Sequence, residues 1–193
     1  MKRVFIAVVS LVVCVGCTPI GGMALKQAYY TAKGPQGSYL IVAVKPGAVE
    51  RYRALEIARF GNELPAVVGQ FLVDSVQENA ARQMQESRYL DSVTAVPQFT
   101  QGKAEKPTLV LRGTILDIVS DKVPGQRLLD SNYLLAAVEL VDKQTGEVIV
   151  KANVRGVVKS IAETGETPLA EGMGKGVRKL FKELLHKTEA EER

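Results

Sequence analysis

The clearest pattern in the chain is a two-residue alternation near its C-terminal end. Val148, Val150, Ala152, Val154, Gly156 and Val158 alternate with Lys151, Asn153, Arg155 and Lys159. One face of such a strand is dry and the other wet, which is the signature of an antiparallel sheet covered on one side. Leu128–Val141 precedes it, and Lys143-Gln144-Thr145-Gly146 suits a four-residue hairpin loop with Gly146 at positive φ. Shifting the register by one residue would turn every valine outward, so the pairing is firmly specified. Thr108–Val119 reads as a longer strand whose alternation changes near Gly113, marking a bulge or a close approach. Ser38–Val44, SYLIVAV, is continuously apolar and reads as a buried central strand ended by Pro46-Gly47. Leu90–Val96 reads as a short strand, and Tyr52–Phe60 as a strand that could lie at an exposed edge.

Two stretches change period to 3.6. Leu64, Val67, Val68, Phe71, Leu72, Val76, Ala80 and Met84 form one stripe, so a helix is expected over Leu64–Ser87, capped by Asn62 with Pro65 in its first turn. Met173, Val177, Leu180, Phe181, Leu184 and Leu185 form another, over Leu169–Lys187. A one-sided sheet and two amphipathic helices fit an α+β two-layer sandwich. The expectation is a mixed, mostly antiparallel sheet of about five strands with both helices on one face.

The N-terminal end breaks with this pattern. Lys2 and Arg3 precede an apolar run from Val4 to Val15, then Gly16 and Cys17. The run is too short to span a bilayer, which takes about 20 residues. Cation, apolar run and small residue make a secretory signal over residues 1–16. Its layout resembles that of bacterial lipoproteins, in which the thiol after the cut carries a diacylglycerol; Cys17 is then the lipidated residue. Cys14 stands where such signals usually have Leu. Thr18 rather than Asp follows Cys17, which by resemblance to enterobacterial sorting favours the periplasmic face of the outer membrane over the inner membrane. Residues 17–37, with Gly21, Gly22, Gly34, Pro35 and Gly37, read as a flexible tether. Residues 38–187 read as one domain and 188–193 as a charged tail.

Composition narrows the chemistry. The 193 residues carry a formal charge of +4, of which Lys2 and Arg3 supply two. The remainder is mildly basic, too little to argue for nucleic acid. Cys14 and Cys17 are the two cysteines, so the domain has no thiol for catalysis or disulfides. His186 is the single histidine, which excludes a zinc site of His and Cys ligands. There is no Trp to build stacking platforms. No cofactor or metal site is read from the residues, and the expectation is a protein that is not an enzyme.

Glu171-Gly-Met-Gly-Lys-Gly-Val177 invites a phosphate-loop reading, but Leu169-Ala170 stand where a Gly is needed and Gly176 follows the Lys. Glycines that let a helix approach the sheet are the better reading. Asp117, Asp121 and Asp130 are weak candidates for acid–base work. Lys175, Arg178, Lys179 and Lys182 share a helix face and are candidates for contact with an anionic surface, either lipid headgroups or peptidoglycan carboxylates.

Three blocks, Tyr39–Val44, Leu109–Ile115 and Val138–Val148, with Cys17 upstream, resemble the domain shared by TolB amino-terminal domains, curli-secretion lipoproteins and a group of uncharacterised bacterial lipoproteins. The last group is the nearest in pattern and implies no catalytic residues. The long insertions of the curli channel are missing, so channel activity is not carried over. The reading is a lipid-anchored envelope lipoprotein that binds a protein partner, either another envelope protein or a second copy of itself, as an assembly, secretion or transport accessory. The alternative is an envelope regulator that contacts peptidoglycan or its synthases.

Overall fold

The computed structural model describes residues 29, 33–45, 49–119, 132–159 and 166–191, the last with side chains through Leu185. The signal, Cys17, most of the tether, Asp121, Asp130 and the side chain of His186 lie outside the described residues. The elements in chain order are β1 Gln36–Val44, β2 Ala54–Ala58, β3 Gly61–Asn62, α1 Gln70–Ser87, β4 Ser92–Val96, β5 Thr108–Val119, β6 Asn132–Asp142, β7 Val148–Val158 and α2 Glu166–Glu191. The strands form one sheet of seven in the order β1-β7-β6-β5-β2-β4, with β3 beside β5. The fold is the expected α+β sandwich. It has seven strands rather than about five, one of them the two-residue Gly61–Asn62, which pairs with Thr114 and Ile115.

The sheet has two halves. β1, β7, β6 and β5 pair antiparallel, whereas β2 lies parallel to both β5 and β4. The β2-α1-β4 passage is therefore a crossover unit, as parallel neighbours require. The β6–β7 hairpin forms as its alternation predicts: Ala152, Val154 and Val158 are buried, and Gly146 sits at φ 72°. Asp142 anchors that turn. Its Oδ1 accepts the N–H groups of Gln144 and Thr145, each at 2.8 Å. Its Oδ2 accepts the Tyr52 hydroxyl at 2.6 Å and Arg51 at 3.2 Å.

Four expectations change. Ser38–Val44 is not a central strand: β1 ends the sheet, and Leu40 and Val42 are 65% and 62% exposed. Tyr39 and Ile41 pack on the core under α2, so both faces of β1 carry apolar residues for different reasons. A continuous apolar run cannot tell these cases apart. Tyr52–Phe60 is the converse. Its strand, β2, lies between β4 and β5 with Leu55 and Ile57 fully buried, so it offers no edge. The first helix starts at Gln70, not Leu64. Asn62 instead caps a separate turn, accepting the N–H of Leu64 at 2.8 Å and donating to the carbonyl of Val68 at 3.0 Å. The break rotates the stripe. Val68, Leu72, Val76, Ala80 and Met84 are buried, but Phe71 is 65% exposed and Val67 is exposed with it. At the other end, α2 continues past Lys187 to Glu191.

The Gly172-Met-Gly-Lys-Gly176 run does what packing glycines do. A Cβ on Gly172 would stand 2.7 Å from the carbonyl oxygen of Gln36, and one on Gly37 would stand 2.0 Å from the nitrogen of Gly176. A Cβ on Gly156 would stand 2.4 Å from the oxygen of Leu169. Gly174, half a turn away, faces the other helix, and its Cβ would meet the carbonyl oxygen of Asn79 at 2.6 Å. These clashes are with backbone, which cannot rotate aside. At Gly113 the close approach comes from the Phe60 ring, 2.4 Å from an added Cβ. The sheet bulge lies further along, between Ile115 and Asp117.

Two predictions follow from this packing. Gly37→Ala, Gly172→Ala and Gly174→Ala should each lower stability by about 1–3 kcal/mol in urea unfolding, although Ala favours a helix at the last two. Gly102→Ala, in open space, should change it by less than about 0.5 kcal/mol. Burial pushes the Asp142 carboxyl up, but the Tyr52 hydroxyl and the turn N–H groups outweigh it and hold it below 3.8. A depressed folded value gives stability that is present above the unfolded value and lost as pH falls through the folded one. The urea midpoint should therefore fall below pH 3.8, and Asp142→Asn should be less stable at pH 7 with a shallower acid slope.

Candidate functional site

The four candidate cations, Lys175, Arg178, Lys179 and Lys182, do different things. Lys175 pairs with Glu171 at 2.8 Å and donates to the carbonyl of Pro35 at 3.1 Å. Lys179 donates to the carbonyl of Gly37 at 2.9 Å. Both ammonium groups therefore hold the chain where it enters β1. Arg178 and Lys182 point to solvent and have no partner among the described residues. The entry is held from the other side by Gln36. Its Nε2 donates to the carbonyls of Lys33 at 2.8 Å and Gly34 at 2.9 Å, and Gly34 turns the chain at φ 63°. Nothing in the sequence marks Gln36 for this role, because its acceptors are backbone groups of the turn itself.

The sheet face away from the helices carries a second cluster. Register places Arg112 opposite Glu139 and Glu139 opposite Lys151. Arg112 donates twice to Glu139 Oε2, at 2.9 and 2.6 Å, and Lys151 lies 3.1 Å from Oε1. Burial raises the Glu139 carboxyl, but the two cations outweigh it and hold it below its ordinary value. Beside this ladder the Tyr133 hydroxyl donates to Asp117 at 2.6 Å, and the Arg155 guanidinium lies 4.0 Å from the Tyr133 ring centroid. The hydrogen bond to Asp117 is the main reason that the Tyr133 hydroxyl is raised. Asp117 thus serves a neighbouring tyrosine. The members of this face satisfy one another, as cross-strand pairs do.

No group of three or more His, Cys, Asp or Glu that could hold a metal occurs among the described residues. Gln101, Gly102, Lys103, Ala104 and Gln144 line a shallow, open depression at the hairpin end. No helix among the described residues is long and apolar enough to cross a membrane.

The two sheet edges differ. β4 is five residues long, and its Val93 carbonyl accepts Gln85 Nε2 from α1 at 3.1 Å. β1 is nine residues long, and nothing among the described residues pairs with its outer side. Its one irregularity is a bulge between Ile41 and Ala43. A long apolar edge is a ready template for another strand.

The ladder should behave as a structural feature. A double-mutant cycle of Arg112→Gln and Glu139→Gln should give a coupling of about 0.5–1 kcal/mol. Because the Glu139 carboxyl is depressed, the coupling should be intact at pH 7 and vanish as pH falls below 4.5 toward its folded value.

No family model matches the chain, and no curated protein matches it. Solved structures do. The PelC dodecamer from Paraburkholderia phytofirmans is similar over 74% of this chain and 94% of its own, at 17% identity and a TM-score of 0.47. A protein from Xanthomonas campestris covers 76% and 90% respectively, at 13% identity and 0.45. Lipoprotein GNA1162 from Neisseria meningitidis covers 72% and 99%, at 13% identity and 0.37. The structures to which this chain is similar thus include a lipoprotein.

Proposed function

We propose that the chain is a lipid-anchored cell-envelope lipoprotein whose domain, without catalysis, binds a protein partner as an assembly, secretion or transport accessory. Anchoring rests on the signal that ends at Cys17. Partner binding rests on one observation: β1 is a nine-residue strand at the end of the sheet with Leu40 and Val42 exposed to solvent. A second strand added there would satisfy the outer backbone groups and cover these side chains. The periplasmic face of the outer membrane is the proposed location. Resemblance of the domain to the TolB amino-terminal and curli-secretion domains belongs to the same proposal.

Two measurements test it. Cys17→Ser should move the protein from the membrane fraction to the soluble envelope fraction and abolish acyl labelling, while its unfolding midpoint stays within the scatter of the parent. Persistent membrane association of this variant would count against the anchor. A photo-crosslinker at Leu40 in living cells should give a defined adduct, and one at exposed Lys103 should not. Equal, diffuse labelling from both positions would count against the edge.

A further inference from the structure

The lipid anchor fixes one end of a tether but not which side of the domain faces the membrane. We propose that the flank formed by the middle of α2 and the entry to β1 lies against an anionic lipid surface, with Arg178 and Lys182 at the headgroups and Lys175 and Lys179 behind them. This orientation rests on the reading of Cys17 as the anchor.

Charge is unevenly placed. The chain carries +4 formally, and two of those charges are in the signal. Yet residues 172–182 hold Lys175, Arg178, Lys179 and Lys182 and no acid. Steps of three and four put these on one helix face. The neighbouring acids on α2 are turned to other work: Glu171 pairs with Lys175, and Glu183 accepts the Tyr39 hydroxyl. The side chains lie on an open helix flank, not around a cavity. Such a flank recognises a charged surface and not a shaped ligand.

The chain also enters on this flank. Lys175 and Lys179 bind the carbonyls of Pro35 and Gly37, and Gln36 fixes the turn at Lys33 and Gly34. Sixteen residue steps separate Cys17 from Lys33, at most about 55 Å of chain. The anchor therefore draws this side of the domain toward the bilayer more than the β4 edge, which lies at the far end of the sheet. Near an anionic surface each Lys or Arg strengthens association about fivefold. Two to four such cations bind a free domain weakly, but they are enough to orient one that is already held nearby.

The test uses the full lipidated protein. Lipidation consumes Cys17, and Cys14 leaves with the signal, so a cysteine introduced at Ser38 or Thr94 is unique. Ser38 is exposed on β1, and Thr94 is exposed on β4. Each is labelled with an environment-sensitive dye. The protein is then placed on phosphatidylcholine vesicles with or without about one-third phosphatidylglycerol, both containing a quencher lipid. On anionic vesicles the Ser38 dye should be quenched at least about threefold more than the Thr94 dye. Neutral lipid, about 0.5 M salt or the pair Arg178→Glu and Lys182→Glu should bring the two dyes to parity while the protein still floats with the vesicles. Equal quenching on anionic vesicles, or a difference that survives the charge reversal, overturns the proposal and leaves the anchor intact. Failure to float with either vesicle overturns the anchor and the orientation with it. Sedimentation with purified murein sacculi that depends on Arg178 and Lys182, without any lipid dependence, overturns it in favour of peptidoglycan.

Discussion

The fold depends on how closely α2 can approach its neighbours. Gly172 and Gly176 press onto the backbones of Gln36, Gly37 and Ser38, and Gly174 presses onto Asn79 of α1. Each glycine in a helix costs about 1 kcal/mol against Ala. The close contact offsets this by setting α2 down on β1 and β7, so that Met173, Val177, Leu180 and Phe181 reach the sheet and become fully buried. The same approach brings Lys175 and Lys179 within hydrogen-bond reach of the carbonyls of Pro35 and Gly37. Packing, chain entry and surface charge on that side are thus one arrangement. Its cost is visible in sequence as poor helix formers at every second position.

The two faces of the sheet are stabilised differently. The covered face is apolar from β2 to β7 and carries both helices. No helix among the described residues lies on the other face, and its strands are joined by Arg112, Glu139 and Lys151 and by Tyr133, Asp117 and Arg155. Pairs of this kind contribute little each, about 0.2–1 kcal/mol, but they punish a slipped register because every partner would change. The β1 edge is the exception to this economy. Among the described residues nothing covers Leu40 and Val42, which is why the proposed partner is placed there.

Some elements were legible because their signal is local. The β6–β7 hairpin needed only alternation and a loop ending in Gly146. β5 needed only the apolar run from Thr108 to Val119. The glycine run of α2 could be read as packing because a phosphate loop needs residues that are missing at Leu169-Ala170 and Gly176. The start of α1 was not legible. Asn62 has the same chemistry whether it caps a long helix or a four-residue turn, and the apolar spacing of Leu64, Val67 and Val68 suits both. The direction of the α2 cations was half legible: their shared face follows from spacing, but the carbonyls that take Lys175 and Lys179 come from residues about 140 positions away.

The amino-acid sequence by itself determined the α+β class, the register of the hairpin, the glycine contact of α2, and a cysteine signal that points to the envelope. These follow from periodicity and from the steric demands of single residues, which act over a few positions. Only the tertiary structure decided strand order. It placed the apolar Ser38–Val44 run at an open edge and the mixed Tyr52–Phe60 run at the centre, reversing the expectation from composition. The physical reason is that burial of a strand depends on its neighbours in the sheet. Those neighbours come from distant parts of the chain: Asn153 and Ala152 beside Leu40 and Ile41, and Leu109 and Val93 on either side of Leu55.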